Sequence, residues 1–176
     1  MSTVKADAID LFRQVLIFHA GASKQVERVR AAQEAINAEL ALDKWVDGRP
    51  PAVSRKAEYA FEYEFHFLLV AAAQLEKALR KLGLAGFDKD LSAPLKNLRD
   101  WYTHFEDPEG DAYGQFTGRH EGKRPDDLFI SGEEVHIGGF VITLTQIEQG
   151  LVSIGSRLER YEALVLAKDG GCLRPT

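Results

Sequence analysis

The stretch from Ser54 to Gly83 constrains the fold most, because its apolar residues recur at helical spacing between a good N-capping residue and a glycine. Side chains three or four positions apart share one side of a helix, and here they define two apolar faces. A helix that is apolar nearly all round is buried on several sides. We therefore predict a long core helix, and we expect a second subunit to cover part of its second face. The first face comprises Phe61, Phe65, Leu68, Leu69, Ala72, Leu75, Leu79 and Leu82, and the second comprises Tyr59, Tyr63, Phe67 and Val70, with His66 at its edge.

Three further stretches carry the same helical rhythm. The first runs from Val4 to about Asp43, and it predicts either one long helix or two collinear helices that are broken around Gly21. The second begins at about Asp90 and ends at Asp107, before Pro108. The last helix is predicted to start at Thr143 or Thr145 and to reach Val165.

Short β-prone runs lie between the last two predicted helices, and turn residues separate them. We expect a small antiparallel hairpin over about residues 127–143, with room for a third short strand that rests on the helices. The fold class is then all-α: a single helical domain over residues 1–176, built as a four- to five-helix bundle with a small β-hairpin inserted before the last helix. Residues from about 168 to 176 are expected to form a flexible tail.

Composition narrows the functional classes. The chain has 176 residues, of which 45% are hydrophobic and 28% charged, and this is ordinary for a globular protein. Its net charge of −5 argues against non-specific binding along nucleic acid but leaves room for a local basic pocket. The single cysteine, Cys172, excludes an internal disulfide. Without a signal-like N-terminus or a run of roughly 18 apolar residues, we expect a cytoplasmic protein with no membrane contact.

The better-marked catalytic motifs are missing from the sequence. It has no phosphate-binding loop, no dinucleotide-binding glycine pattern and no paired cysteines. A di-metal centre in a helical bundle needs Glu-x-x-His on two helices, whereas Glu62 and His66 are four apart. We therefore expect neither a metal nor a cofactor. His66 is interpreted as a histidine at the edge of the core, and His136 as a structural residue in a strand.

The stretch from Leu95 to Asp107 holds the strongest candidate site. Counting 100° per residue, its apolar side chains fall on one side of a helix, and Lys96, Arg99, Asp100, Thr103 and His104 lie on the other. Asp100 and His104 are four apart, so the carboxylate can reach the imidazole. Arg99 lies on the far flank, about 140° from His104. This face is either a site for a phosphate-bearing substrate or a solvated helix surface.

A basic cluster follows in a glycine-rich stretch that we predict to be irregular. It contains Arg119, His120, Lys123 and Arg124. Such a cluster on an acidic chain can bind phosphate, and the alternative is a solvated loop. If RNA is the substrate, these residues and Lys96 are the predicted RNA-binding side chains.

The helix order and the pattern from Arg99 to His104 resemble the HEPN superfamily. That family places an Arg, four to six residues and a His on its penultimate long helix, often with a polar residue after the Arg, here Asp100. Arg13 and His19 also match the spacing, but they lie on the first helix, so we prefer Arg99 and His104. The resemblance covers most of the chain in helix order and leaves the hairpin unexplained.

The resemblance implies a metal-independent endoribonuclease of toxin or defence type, whose site forms where two motif helices meet in a homodimer. Arg99 would hold the scissile phosphate, His104 would transfer protons, and Asp100 would orient His104. An antitoxin or nucleotidyltransferase partner is then expected. The alternative is a non-catalytic dimeric helical module that binds a protein or nucleotide partner, which the acidic net charge favours.

Overall fold

The computed structural model describes residues 2–42, 53–103, 128–131, 133–137 and 140–168. Within them the chain forms four helices, with a small sheet before the last one, and this confirms the predicted all-α bundle with a β insertion. The elements are α1 (Ser2–Leu42), α2 (Arg55–Lys81), α3 (Lys89–Thr103), β1 (Leu128–Ser131), β2 (Glu134–Ile137), β3 (Phe140–Thr143) and α4 (Leu144–Lys168).

Helix α1 passes through Gly21 without a break, which decides between the two predicted arrangements in favour of one long helix. A glycine inside a helix costs only about 1 kcal/mol, and burial on both sides of it offsets that cost. Val15, Ala22 and Val26 precede and follow the glycine on the core side, and each is at most 2% exposed.

Helix α2 is capped at both ends as its sequence predicts. The Ser54 hydroxyl accepts a hydrogen bond from Ala57 N at 3.3 Å. Gly83 adopts a left-handed φ of 71°, and Leu84 N donates to Leu79 O at 2.9 Å, which closes the helix in a Schellman turn. Glu39 of α1 accepts from Ser54 N at 2.7 Å and from its hydroxyl at 2.8 Å, and these two bonds lower the pKa of the Glu39 carboxyl.

The two longest helices, α1 and α2, pack antiparallel. Gln25 Nε2 donates to the Glu64 carbonyl at 2.9 Å, and Glu39 meets Ser54 further along, so residue numbers rise on α1 as they fall on α2. The first predicted face of α2 lies in the core, whose largest fully buried side chains are Phe61, Phe65, Leu68, Leu69, Leu75, Leu79, Leu98, Ile142, Leu144, Ile147 and Ile154.

The sheet has three antiparallel strands in the order β1-β2-β3, so the third short strand is present. Val135 pairs with Ile142, and both are buried, which fixes the sheet on the helices. Helix α4 follows directly: Gln146 N donates to the Thr143 hydroxyl at 3.1 Å, and Thr143 N donates to Gln146 Oε1 at 3.0 Å. This reciprocal pair is a capping box.

Helix α4 joins α1 through polar contacts. Arg30 of α1 holds Glu148 with two hydrogen bonds of 3.0 and 2.8 Å, and it also contacts Glu133 at 3.4 Å. The Thr145 hydroxyl donates to Glu133 at 2.5 Å. None of the helices in the described part of the chain is both long and apolar enough to cross a membrane.

Candidate functional site

Arg99 lies where α3 packs on α2. Its side chain is half-buried and lines a narrow cleft between the two helices. The sequence placed Arg99 on a flank of the polar face, and the structure shows that this flank borders α2. Leu69, Ala72, Ala73 and Glu76 of α2 and Leu95, Lys96 and Arg99 of α3 line the cleft.

The other predicted site residues are only partly covered by the structure. Asp100 follows Arg99 in α3, whose described part ends at Thr103. His104 lies outside the described residues, as do all four members of the predicted basic cluster, Arg119, His120, Lys123 and Arg124. Lys96 is exposed and lines the same cleft as Arg99. Of the predicted residues, the structure therefore brings Arg99 and Lys96 together.

A half-buried carboxyl on the neighbouring flank of α2 was not identified as part of a site from the sequence. Glu62 lies seven residues before Leu69, so two helical turns separate the two residues on one side of α2. Burial raises the pKa of the Glu62 carboxyl, and the nearby negative charge of Glu58 raises it further. The sequence feature that could have identified Glu62 is its spacing to Leu69, since seven residues put both on the side of α2 that borders α3.

The second match to the Arg–His pattern falls on side chains that point apart. Arg13 is exposed and contacts Asp10 at 3.3 Å. His19 is half-buried, and its Nε2 donates to the Leu151 carbonyl of α4 at 2.9 Å. This histidine fastens α1 to α4, so the two side chains do not face one substrate.

The other two histidines that the structure describes, His66 and His136, have neighbours in their own elements. The half-buried His66 ring lies 5.7 Å from the Phe67 ring, centroid to centroid. His136 Nε2 lies 2.9 Å from a carboxylate oxygen of Glu134. Within the described ranges no three His, Cys, Asp or Glu side chains are grouped so that they could hold a metal ion.

The second face of α2 is exposed in the single chain. Tyr59 is 63% exposed, Tyr63 62% and Phe67 42%, although a Phe or Tyr side chain of a packed helix is usually covered. Phe67 stands edge-on to Tyr63, with 4.7 Å between ring centroids. The predicted apolar face is therefore present, and its coverage by a second subunit stays a prediction.

A cavity of about 260 Å³ lies between the start of α3, β3 and α4. Its walls combine carboxylates, amides and a hydroxyl with an apolar floor. None of its lining residues was predicted from the sequence to belong to a functional site. They are Asp88, Asp90, Leu91, Val141, Ile142, Gln146, Gln149, Gly150 and Ser153.

Comparison with known proteins adds no relative. No protein-family model matches the chain, and no curated protein or solved structure matches it either.

Proposed function

We propose that the protein is a HEPN-like, metal-independent endoribonuclease that acts as a homodimer. The observation that carries the proposal is the position of Arg99, whose half-buried side chain lines the narrow cleft between α2 and α3 beside Lys96. The cleft is lined by apolar side chains and by the charged groups of Lys96 and Glu76. A half-buried guanidinium attracts a phosphate more strongly than one in bulk water, because its charge is less screened. Asp100 and His104 follow Arg99 in the chain.

The proposed reaction needs only side chains of the protein and the RNA itself. The ribose 2′-oxygen attacks the adjacent phosphorus while the bond to the 5′-oxygen breaks, which leaves a 2′,3′-cyclic phosphate and a 5′-hydroxyl. A histidine can accept the 2′-hydroxyl proton or donate one to the leaving 5′-oxygen. Arg99 binds the phosphate oxygens and stabilises the growing negative charge. Asp100 orients His104.

A second copy of the chain completes the proposed site. By helical geometry, residues five apart such as Arg99 and His104 are about 140° apart around the axis of a helix that contains both, so one copy of such a helix would present them in different directions. Two α3 helices related by a two-fold axis place both pairs around one groove. An antitoxin, such as a nucleotidyltransferase, is the proposed partner that holds the enzyme in check.

The direct test is cleavage of labelled RNA in the presence of EDTA. Wild type should cut and leave 2′,3′-cyclic phosphate ends. His104→Ala should lose activity by about 10²- to 10⁴-fold, and Arg99→Ala by about 10²-fold or more. Arg13→Ala is the matched control, because it removes the arginine of the other Arg–His match, and it should cut like wild type. Equal rates for wild type and His104→Ala, or no cleavage by wild type over a broad RNA panel, would refute the proposal.

A non-catalytic helical module that binds a protein or nucleotide partner is the second candidate, and the net charge of −5 favours it. In that case Arg99→Ala and His104→Ala weaken binding of a co-purifying partner, and wild type leaves RNA intact. A wild-type protein that cleaves RNA and returns no partner from native extract excludes this candidate.

A further inference from the structure

We propose that the exposed aromatic face of α2, defined by Tyr59, Tyr63 and Phe67, is a stacking platform for the bases of single-stranded RNA. The inference rests on the proposed function only for the choice of RNA over DNA. It assigns to this face an occupant other than a second subunit.

The three rings follow one side of α2, one helical turn apart. The three residues are four apart, so their Cα atoms rise by about 6 Å per step along α2. The Tyr63 and Phe67 rings already contact each other edge-on, with 4.7 Å between ring centroids, so bases would stack on the solvent-facing surfaces of the rings rather than between them. The rings of Tyr59 and Tyr63 are more than half exposed, which leaves a surface of each open for stacking.

The charges around the rings favour an anionic partner. Lys56, Lys77 and Lys81 are exposed, and at 100° per residue they fall in the same sector of α2 as the rings. One lysine precedes the rings and two follow them, as is expected where a phosphate backbone runs along the helix. This cationic sector is notable on a chain with a net charge of −5.

The carboxylates of α2 lie outside that sector. Glu64 is turned towards α1, where Gln25 Nε2 donates to its carboxylate at 2.5 Å. Glu76 lies beside Gly86 and lines the cleft towards α3. By helical position Glu58 and Glu62 also lie on the α3 side. If two copies of this face packed together, their lysines would lie opposite each other, and the face has no carboxylate to pair with them. A nucleic-acid strand supplies the missing negative charge.

The test separates binding from cleavage by using a fluorescent single-stranded oligonucleotide of 2′-O-methyl RNA, which lacks the attacking hydroxyl. Wild type should bind it, and the duplex of the same sequence should bind more weakly because its bases are already stacked. Tyr63→Ala should weaken binding about tenfold. Lys77→Gln should weaken it less and should reduce the slope of log affinity against log salt by about 0.7.

Val152→Ser is the matched control, since it removes an apolar side chain that is 69% exposed on α4, and its affinity should equal that of wild type. Circular dichroism should show that all variants are folded. Absence of binding by wild type, or equal affinity of Tyr63→Ala, overturns the inference. It is also overturned if Tyr63→Ala loses only self-association in sedimentation, because the face is then a dimer interface. Cleavage by wild type with an unchanged KM in Tyr63→Ala leaves the nuclease proposal standing and removes this one.

Discussion

The glycines of α1 and α4 look alike in the sequence and differ in the fold. A Cβ built on Gly21 of α1 meets nothing within 4 Å. A Cβ on Gly150 of α4 would lie 2.6 Å from Cδ1 of Phe87, and one on Gly155 would lie 3.3 Å from Cε1 of His19. Helix α4 therefore uses its glycines to let α1 and the segment before α3 approach closely, whereas α1 merely tolerates its glycine. A glycine in a helix has a packing role only where another element touches it.

The largest effect on stability is expected for Gly150→Ala, which tests whether α4 needs its glycine. The added methyl group would overlap the buried Phe87 ring, which is only 7% exposed, and overpacking of this kind costs about 1–3 kcal/mol. We expect the free energy of unfolding in urea to fall by that amount. The cost of Gly150→Ala should be smaller when it is introduced into a Phe87→Leu protein than when it is introduced into wild type, because the ring that the methyl group overlaps is then missing. A Gly150→Ala protein as stable as wild type would show that α4 has no close contact there.

The opposite effect is expected for Gly21→Ala. Nothing lies near the new methyl group, and alanine is the better helix former, so the free energy of unfolding should rise by about 1 kcal/mol. Urea unfolding under the same conditions measures it. The comparison between α1 and α4 fails if this substitution destabilises the protein, because Gly21 would then serve a contact or a bend.

Local pattern was enough to predict the elements, since caps and periodicity are local. Ser54, Gly83 and Thr143 end or begin helices through bonds to residues only a few positions away. The continuity of α1 through Gly21 was left open, because it depends on burial against other helices. No local signal distinguishes Gly21 from Gly150, since the difference is the distant ring of Phe87.

In the candidate site, too, some features follow from local sequence and others only from tertiary packing. Helical geometry placed Arg99 on a flank of α3, but only the packing of α3 on α2 makes that flank one wall of a cleft. The half-burial of Glu62 likewise follows from tertiary packing. The aromatic face of α2 was predicted from spacing, whereas its exposure in the single chain, which the stacking proposal uses, required the fold.

The smallest predicted effect concerns Glu133, which contacts Arg30 of α1 and Thr145 of α4 at the protein surface. Unlike the close contacts of Gly150 and Gly155, these contacts are exposed to solvent. The hydrogen bond from Thr145 lowers the pKa of the Glu133 carboxyl, and Arg30 lowers it further. A carboxyl whose folded-state pKa is lowered stabilises the fold at a pH above its unfolded pKa, and the stabilisation is lost as the pH falls through the folded pKa.

Thr145→Val should therefore raise the pKa of Glu133, as measured by carboxyl NMR titration, and should make stability depend less on pH in this acidic range. Arg30→Gln should raise the pKa by a smaller amount, because solvent screens the charge of an exposed pair. A larger rise in Arg30→Gln than in Thr145→Val would mean that the charge of Arg30, rather than the hydroxyl of Thr145, is the main cause of the lowered pKa of Glu133.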